Sequence, residues 1–77
     1  MSLRGYSINL MNANQAADSK SIGVQLGRWA IARQIAVGVL SRHFKVSRMT
    51  IYSWFTGKSQ PHPRKAELIH KFIQEHQ

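Results

Sequence analysis

The stretch FKVSRMTIYSWFTGK, residues 44–58, carries the side chains best suited to recognition chemistry. Ile51 and Trp54 are three positions apart and share one side of a helix, whereas Arg48 and Ser53 fall on other sides. A guanidinium and a hydroxyl can donate hydrogen bonds to another molecule. A helix with an apolar side for packing and such a polar side is typical of one that reads a partner.

The charge around this stretch indicates the class of that partner. Eleven Lys and Arg face only three acids, which gives a formal net charge of +8. The acids are Asp18, Glu67 and Glu75, and none occurs between Lys20 and Ala66. A solubilising surface usually mixes both signs, whereas a surface of one sign attracts polyanions. This balance predicts nucleic-acid binding, with a merely solvated face or an anionic membrane as weaker alternatives.

Catalytic and metal chemistry fit the sequence poorly. General acid–base catalysis by paired carboxylates needs two acids close together, and the three acids are scattered. No His lies in a context that would activate a Ser nucleophile, and a glycine-rich phosphate loop is missing. The histidines, at positions 43, 62, 70 and 76, show no ligand spacing such as HExxH. We therefore expect no enzymatic activity, no metal, no cofactor and no small-molecule substrate.

Length and composition favour one small intracellular domain. Seventy-seven residues leave room for a single compact core, and the lack of cysteine excludes disulfides and thiolate zinc sites. No run approaches the roughly 18 apolar residues of a membrane span, and the N-terminus does not resemble a signal peptide. The expectation is a soluble cytoplasmic protein without a membrane partner.

The first 18 residues predict a flexible N-terminal arm, followed by one domain over residues 19–77. The arm is polar and shows no helical stripe. Tyr6, Ile8 and Leu10 alternate with polar residues, which leaves open a strand that would pair with its copy in a second subunit.

Apolar periodicity predicts four helices beyond the arm. The first runs over about 21–33, where Ser19 or Ser21 can cap it and Trp29 is a core anchor. Two short helices follow, the second of them capped by Ser47 and ended by a left-handed Gly57. Pro63 suits the first turn of the last helix. The apolar positions of the last three helices are Val37, Leu40 and Phe44; Ile51, Trp54 and Phe55; Ala66, Ile69, Phe72 and Ile73.

The two short helices resemble the helix-turn-helix of the phage repressor and Cro-like family. The resemblance rests on the spacing of Leu40, Ser41, Phe44, Val46, Ile51 and Trp54, and on VSRMTIYSWFTGKSQPHP, which resembles that family's recognition helix and the loop after it. It covers about residues 22–73 and implies an all-α fold: a compact four- or five-helix repressor-like helix-turn-helix domain. Two positions depart from the family, which commonly has a turn glycine in place of Lys45 and often a phosphate-binding Gln in place of Val37.

The resemblance also implies which residues face DNA. The base-contacting positions would be Ser47, Arg48, Met49, Tyr52, Ser53 and Thr56. Arg48 can donate to guanine O6 and N7, a contact that discriminates by about 1–3 kcal/mol, and a phosphate contact is an equal alternative for it. Ser53 could contact a purine edge, Met49 or Thr56 a thymine methyl, and Tyr52 the backbone. Phosphate contacts would come from Arg33, Arg42, Lys45, Lys58, Ser59 and Arg64, helped by the backbone N–H groups of residues 58–60.

The function implied is sequence-specific binding of double-stranded DNA by a small phage or bacterial transcriptional regulator, in the first place a repressor. It would bind pseudo-palindromes as a homodimer in the bacterial cytoplasm or nucleoid. Candidate dimer surfaces are residues 6–10 and the last helix around Phe72 and Ile73. Two alternatives remain: a phage DNA-packaging or architectural protein like terminase small subunits, and a basic module that docks on an acidic host protein.

Overall fold

Five α-helices joined by short loops form residues 6–76, the part of the chain that the computed structural model describes. They are α1 (Ile8–Ala16), α2 (Ile22–Arg33), α3 (Val37–Phe44), α4 (Arg48–Phe55) and α5 (Pro63–Glu75). The prediction of an all-α fold with four or five helices is confirmed. Within residues 6–76, every helix is too short or too polar to span a bilayer.

The ends of α4 and the start of α5 agree with the signals in the sequence. The Ser47 hydroxyl accepts a hydrogen bond from the Thr50 N–H at 3.1 Å and so caps α4. Gly57 follows α4 with a φ of 77°, and Pro63 is the first residue of α5. Ser21 holds the N-cap position of α2, but its hydroxyl instead donates to the Gln60 side chain at 2.8 Å.

Residues 8–16 form α1, so the prediction of a flexible arm over residues 1–18 is wrong for this segment, as is the alternative of a strand. Residues 1–5 of the predicted arm lie outside the described residues. The Ser7 hydroxyl accepts from the Leu10 N–H at 3.1 Å and caps α1. The buried Asn14 amide anchors the helix by donating to the carbonyls of Val24 at 3.1 Å and Phe55 at 2.7 Å. A helix held by a polar side chain lacks the apolar stripe that periodicity detects.

Helix α2 is the centre of the fold and packs against α1, α4 and α5. Gly23 allows α4 to approach closely, since a Cβ at this position would lie 2.8 Å from the Trp54 Cβ. Trp29 is buried against Phe72 of α5, with ring centroids 5.0 Å apart, which confirms it as a core anchor. Fully buried core side chains include Val24, Leu26, Ala30, Leu40, Ile51, Phe55 and Ile69.

Two residues predicted at a dimer surface lie in this core instead. Tyr6 is 2% exposed, its ring stacks on Phe55, and its hydroxyl donates to the carbonyl of Ile35. Phe72 is buried among Trp29 and other aromatic rings. Both are large aromatic side chains, and a small domain needs them to complete its core.

The turn between α3 and α4 consists of Lys45, Val46 and Ser47. Lys45 ends α3 in the left-handed conformation, with φ 59° and ψ 46°, and its N–H donates to the Ser41 carbonyl. A lysine thus occupies the conformation for which glycine is the usual residue.

Candidate nucleic-acid interface

The buried residues of α4 determine which of its side chains reach solvent. Ile51, Trp54 and Phe55 are at most 3% exposed and attach the helix to the core. On the opposite side, Met49 is 79% exposed and Tyr52 is 38% exposed. The prediction that Ile51 and Trp54 bury one side of α4 is confirmed, and Met49 lies on the solvent side.

The hydroxyls of Ser47 and Thr56, both predicted to contact bases, form hydrogen bonds within the protein at the two ends of α4. Besides capping α4, the Ser47 hydroxyl lies 3.0 Å from the Thr50 hydroxyl. The Thr56 hydroxyl donates to the Tyr52 carbonyl at 3.0 Å. Both hydroxyls therefore have internal partners, whereas the Ser53 side chain is half-buried beside Met49.

A hollow of about 350 Å³ borders the N-terminal end of α4, and we call it the arginine hollow. It is lined by Tyr6, Ala36, Val37, Gly38, Val39, Arg42, Arg48 and Tyr52. Two arginines, Arg42 and Arg48, thus line one concave surface between α3 and α4. Such a surface can bind a phosphate group through charge-assisted hydrogen bonds.

Within the arginine hollow, Arg48 extends along α3. A Cβ built at Gly38 would lie 2.9 Å from the Arg48 Nη2, so the guanidinium packs directly on the glycine backbone. Arg48 is exposed, but its head group lies at the edge of the α4 surface and not at its centre. Met49, by contrast, points straight into solvent.

A second hollow of about 270 Å³ borders the C-terminal half of α4, and we call it the Met49 hollow. It is lined by Leu10, Met49, Tyr52, Ser53, Thr56 and Lys58. Leu10 belongs to α1, so the N-terminal helix adds an apolar wall beside the exposed face of α4. Tyr52 borders both hollows.

The backbone after α4 is not open to a ligand where the sequence suggested a phosphate site. The N–H groups of Lys58 and Ser59 donate to the Ser53 carbonyl at 2.9 Å and 3.4 Å. The prediction that these two N–H groups bind a phosphate oxygen is therefore wrong, because the end of α4 uses both donors. The side chains of Lys58 and Ser59 remain exposed.

The predicted phosphate-binding cations divide into two groups. Arg42, Lys45 and Lys58 are exposed and lie on α3, on the turn before α4, and directly after α4. Arg33 lies 4.9 Å above the Trp29 ring, which itself packs on α5. Arg64 is exposed in the first turn of α5. The structure places Arg42 in the arginine hollow and Lys58 in the Met49 hollow, whereas Lys45, Arg33 and Arg64 line neither.

Tyr6 is the titratable group that its environment perturbs most clearly. Burial raises the pKa of its hydroxyl to about 12, and the nearby Tyr52 adds to the effect. The group stays neutral at physiological pH and acts as an anchor between the start of α1 and the loop at Ile35. Tyr6 therefore forms a rigid, uncharged wall of the arginine hollow.

Sequence reasoning missed three parts of this surface: Tyr6, Leu10 and Gly38. Ser7 is a capping residue ahead of Leu10, and this signal could have indicated α1. No local signal indicates that Arg48 packs on Gly38, because the two residues belong to different helices.

Among residues 6–76, no three His, Asp or Glu side chains are grouped as a metal site would require. Comparison of the chain with protein families, curated proteins and solved structures finds no match.

Proposed function

We propose that this chain binds double-stranded DNA in a sequence-specific manner, with α4 entering the major groove. The observation that carries the proposal is the orientation of α4. Its apolar residues attach it to the core, Met49 faces solvent on the other side, and Arg42, Arg48 and Lys58 surround it. All of these lie in the stretch that contains no acid. A major groove about 12 Å wide admits a helix presented in this way.

Met49 and Ser53 are the side chains that we assign to base edges. Met49 is the most exposed large apolar residue of residues 6–76. An apolar side chain in the major groove recognises the thymine methyl group. Ser53 lines the same hollow and has a hydroxyl that can pair with a base edge. The Met49 hollow would then face the base pairs.

The cations beside α4 are assigned to phosphates. Arg48 and Arg42 share the arginine hollow, where Arg48 is held along α3 at the edge of the α4 surface. From this position Arg48 favours a phosphate of the groove wall over a guanine at its floor. Lys45 and Lys58 flank the two ends of α4 and would contact further phosphates.

The biological role that fits this proposal is a small transcriptional regulator, in the first place a repressor of the phage and bacterial type that the helix-turn-helix spacing resembles. One recognition helix spans few base pairs, so a homodimer on two half-sites multiplies the specificity. The protein would act in the cytoplasm or nucleoid of a bacterial cell.

Two variants with the same change of charge test whether α4 contacts DNA. Met49→Glu places an acid on the exposed face of α4, whereas Gln74→Glu makes the same charge change on the exposed side of α5. We expect Met49→Glu to weaken binding to a random-sequence duplex pool by about tenfold or more at low salt, because the new carboxylate faces phosphates and base edges. Gln74→Glu should change it by no more than about twofold. Equal losses in fluorescence anisotropy titrations would show that only net charge matters and that α4 is not the interface.

A further inference from the structure

The Met49 hollow differs from the arginine hollow in the chemistry of its walls. Leu10 and Met49 supply apolar side chains, and Tyr52 supplies an aromatic ring. The Thr56 hydroxyl donates to the Tyr52 carbonyl at 3.0 Å, so it already has a partner within the protein. Lys58 is the one cation among the lining residues. The Met49 hollow is therefore suited to a small apolar group, whereas the two arginines of the arginine hollow suit a phosphate.

Leu10 is the lining residue of the Met49 hollow that comes from another helix. The remaining walls belong to α4 and to the residues directly after it. The Leu10 side chain is half-buried and packs against the core, so one part of it is fixed while another part stays open to the hollow. Without α1, the hollow would have no apolar wall facing Met49.

Contacts at both ends of α1 hold Leu10 in place. Just before α1, the Tyr6 hydroxyl donates to the carbonyl of Ile35. Just after α1, the Ala17 carbonyl accepts a hydrogen bond from the Arg28 guanidinium of α2 at 3.1 Å. A wall that is fixed before a ligand arrives loses little conformational entropy on binding.

The major groove of DNA offers one apolar group among its base edges, the C5 methyl group of thymine. In 5-methylcytosine the same methyl group occupies the same ring position. We propose that Leu10 and Met49 together hold the C5 methyl group of a pyrimidine, an assignment that rests on the proposed function. Leu10 is then a specificity-determining residue that lies outside residues 22–73, to which the helix-turn-helix resemblance extends.

Removal of single methyl groups from the DNA tests the proposal. Selection from random duplexes with the wild-type protein supplies the binding site, and each thymine of this site is then replaced in turn by deoxyuridine. Deoxyuridine differs from thymidine only in the missing methyl group. We expect one of these replacements to weaken binding about fourfold, the effect of one buried methyl group. With 5-methylcytosine at the same position, binding should be about fourfold tighter than with cytosine, which tests the second source of the methyl group.

Variants of α1 show whether Leu10 makes this contact. Leu10→Ala should reduce the difference between the thymine and deoxyuridine duplexes to less than about twofold, because the methyl group loses one wall. A general effect of this substitution on α1 would weaken binding to both duplexes by the same factor, so the difference isolates the contact. Leu10→Met, which keeps the apolar volume, should preserve the difference. Ile8→Ala should also preserve it, since Ile8 is an exposed apolar residue of α1 that does not line the hollow.

Two outcomes would overturn the proposal and leave the proposed function intact. One is a selected motif in which no deoxyuridine replacement weakens binding and 5-methylcytosine binds no better than cytosine. The other is a Leu10→Ala variant that keeps the full wild-type difference between the two duplexes. An effect at thymine with none at cytosine would support the proposal and identify thymine as the source of the methyl group. A wild-type protein that enriches no motif would overturn the proposed function, and this assignment with it.

Discussion

Lys45 links the stability of the turn to the proposed DNA contact. It ends α3 with positive φ, a conformation that costs a residue with a Cβ about 1–2 kcal/mol. It is also one of the cations beside α4. If this position served only the stability of the turn, glycine would be the favoured residue. A contact with a DNA phosphate gives a reason for lysine instead.

Lys45→Gly should therefore raise the stability of the fold while it weakens DNA binding. We expect the free energy of unfolding in urea to rise by up to about 1 kcal/mol, because glycine adopts this conformation without strain but loses more entropy on folding. Duplex affinity should fall, and the slope of log K against log salt should become shallower by about 0.9. An unchanged salt slope would remove Lys45 from the phosphate contacts.

The raised pKa of Tyr6 predicts that the folded protein loses stability at alkaline pH. Its pKa is raised from 10.0 to about 12 in the folded protein, so the neutral hydroxyl favours the folded state. The stabilisation is complete below pH 10, the unfolded value, and is lost as the pH rises towards 12. The loss amounts to at most about 3 kcal/mol.

Tyr6→Phe is the matched control, since it keeps the ring and removes the titrating group. We expect the stability of wild type relative to Tyr6→Phe to decline between pH 10 and pH 12, as measured by urea unfolding at each pH. Parallel declines of the two proteins would show that Tyr6 does not titrate at a raised pKa.

At the scale of the elements, the contact of α2 with α4 positions the recognition surface. Gly23 faces the Trp54 Cβ and carbonyl, and an added Cβ would lie 2.8 Å and 2.9 Å from these atoms. At Gly38 the nearest atom to an added Cβ is the end of the flexible Arg48 side chain. The two glycines therefore differ in what an alanine would displace.

Gly23→Ala should destabilise the fold by about 1–3 kcal/mol, because α4 must move away from α2. Gly38→Ala should leave stability unchanged or raise it by up to about 1 kcal/mol, since Arg48 can move and alanine favours helix. Urea unfolding measures both. A Gly23→Ala variant as stable as Gly38→Ala would contradict the close packing of α2 on α4.

The sequence predicts the elements that apolar periodicity and capping residues define, and misses those held by polar contacts. Helices α2 to α5 follow from stripes such as Ile51 with Trp54, and from caps such as Ser47. Helix α1 depends on the Asn14 amide, whose acceptors lie 10 and 41 residues away. No local pattern encodes partners so distant along the chain.

The sequence likewise predicts one part of the candidate site and misses another. The outward direction of Met49 follows from the burial of Ile51, which the sequence shows. The position of Arg48 on Gly38 and the wall formed by Leu10 depend on how separate helices pack. Such contacts require the tertiary structure.

At the scale of the whole molecule, charge divides the surface into two parts. The surroundings of α4 lie in the stretch without acids, while α5 carries Glu67 and Glu75. The surface beside α4 carries one sign of charge and is suited to a polyanion, whereas α5 carries both signs.

The most direct test of the central claim, that α4 reads DNA sequence, is selection from random duplexes at two salt concentrations. The proteins to compare are wild type, Met49→Ala and Arg48→Ala. We expect wild type to enrich a defined motif, and Met49→Ala to lose the preference for thymine at one position. Arg48→Ala should keep the motif but bind more weakly, with a shallower salt dependence.

Two results would contradict this claim. Salt-sensitive binding that enriches no motif would show that α4 does not read sequence and would indicate a packaging or architectural protein. No duplex binding by wild type, even at low salt, would exclude both DNA functions and assign the basic surface to an acidic protein partner.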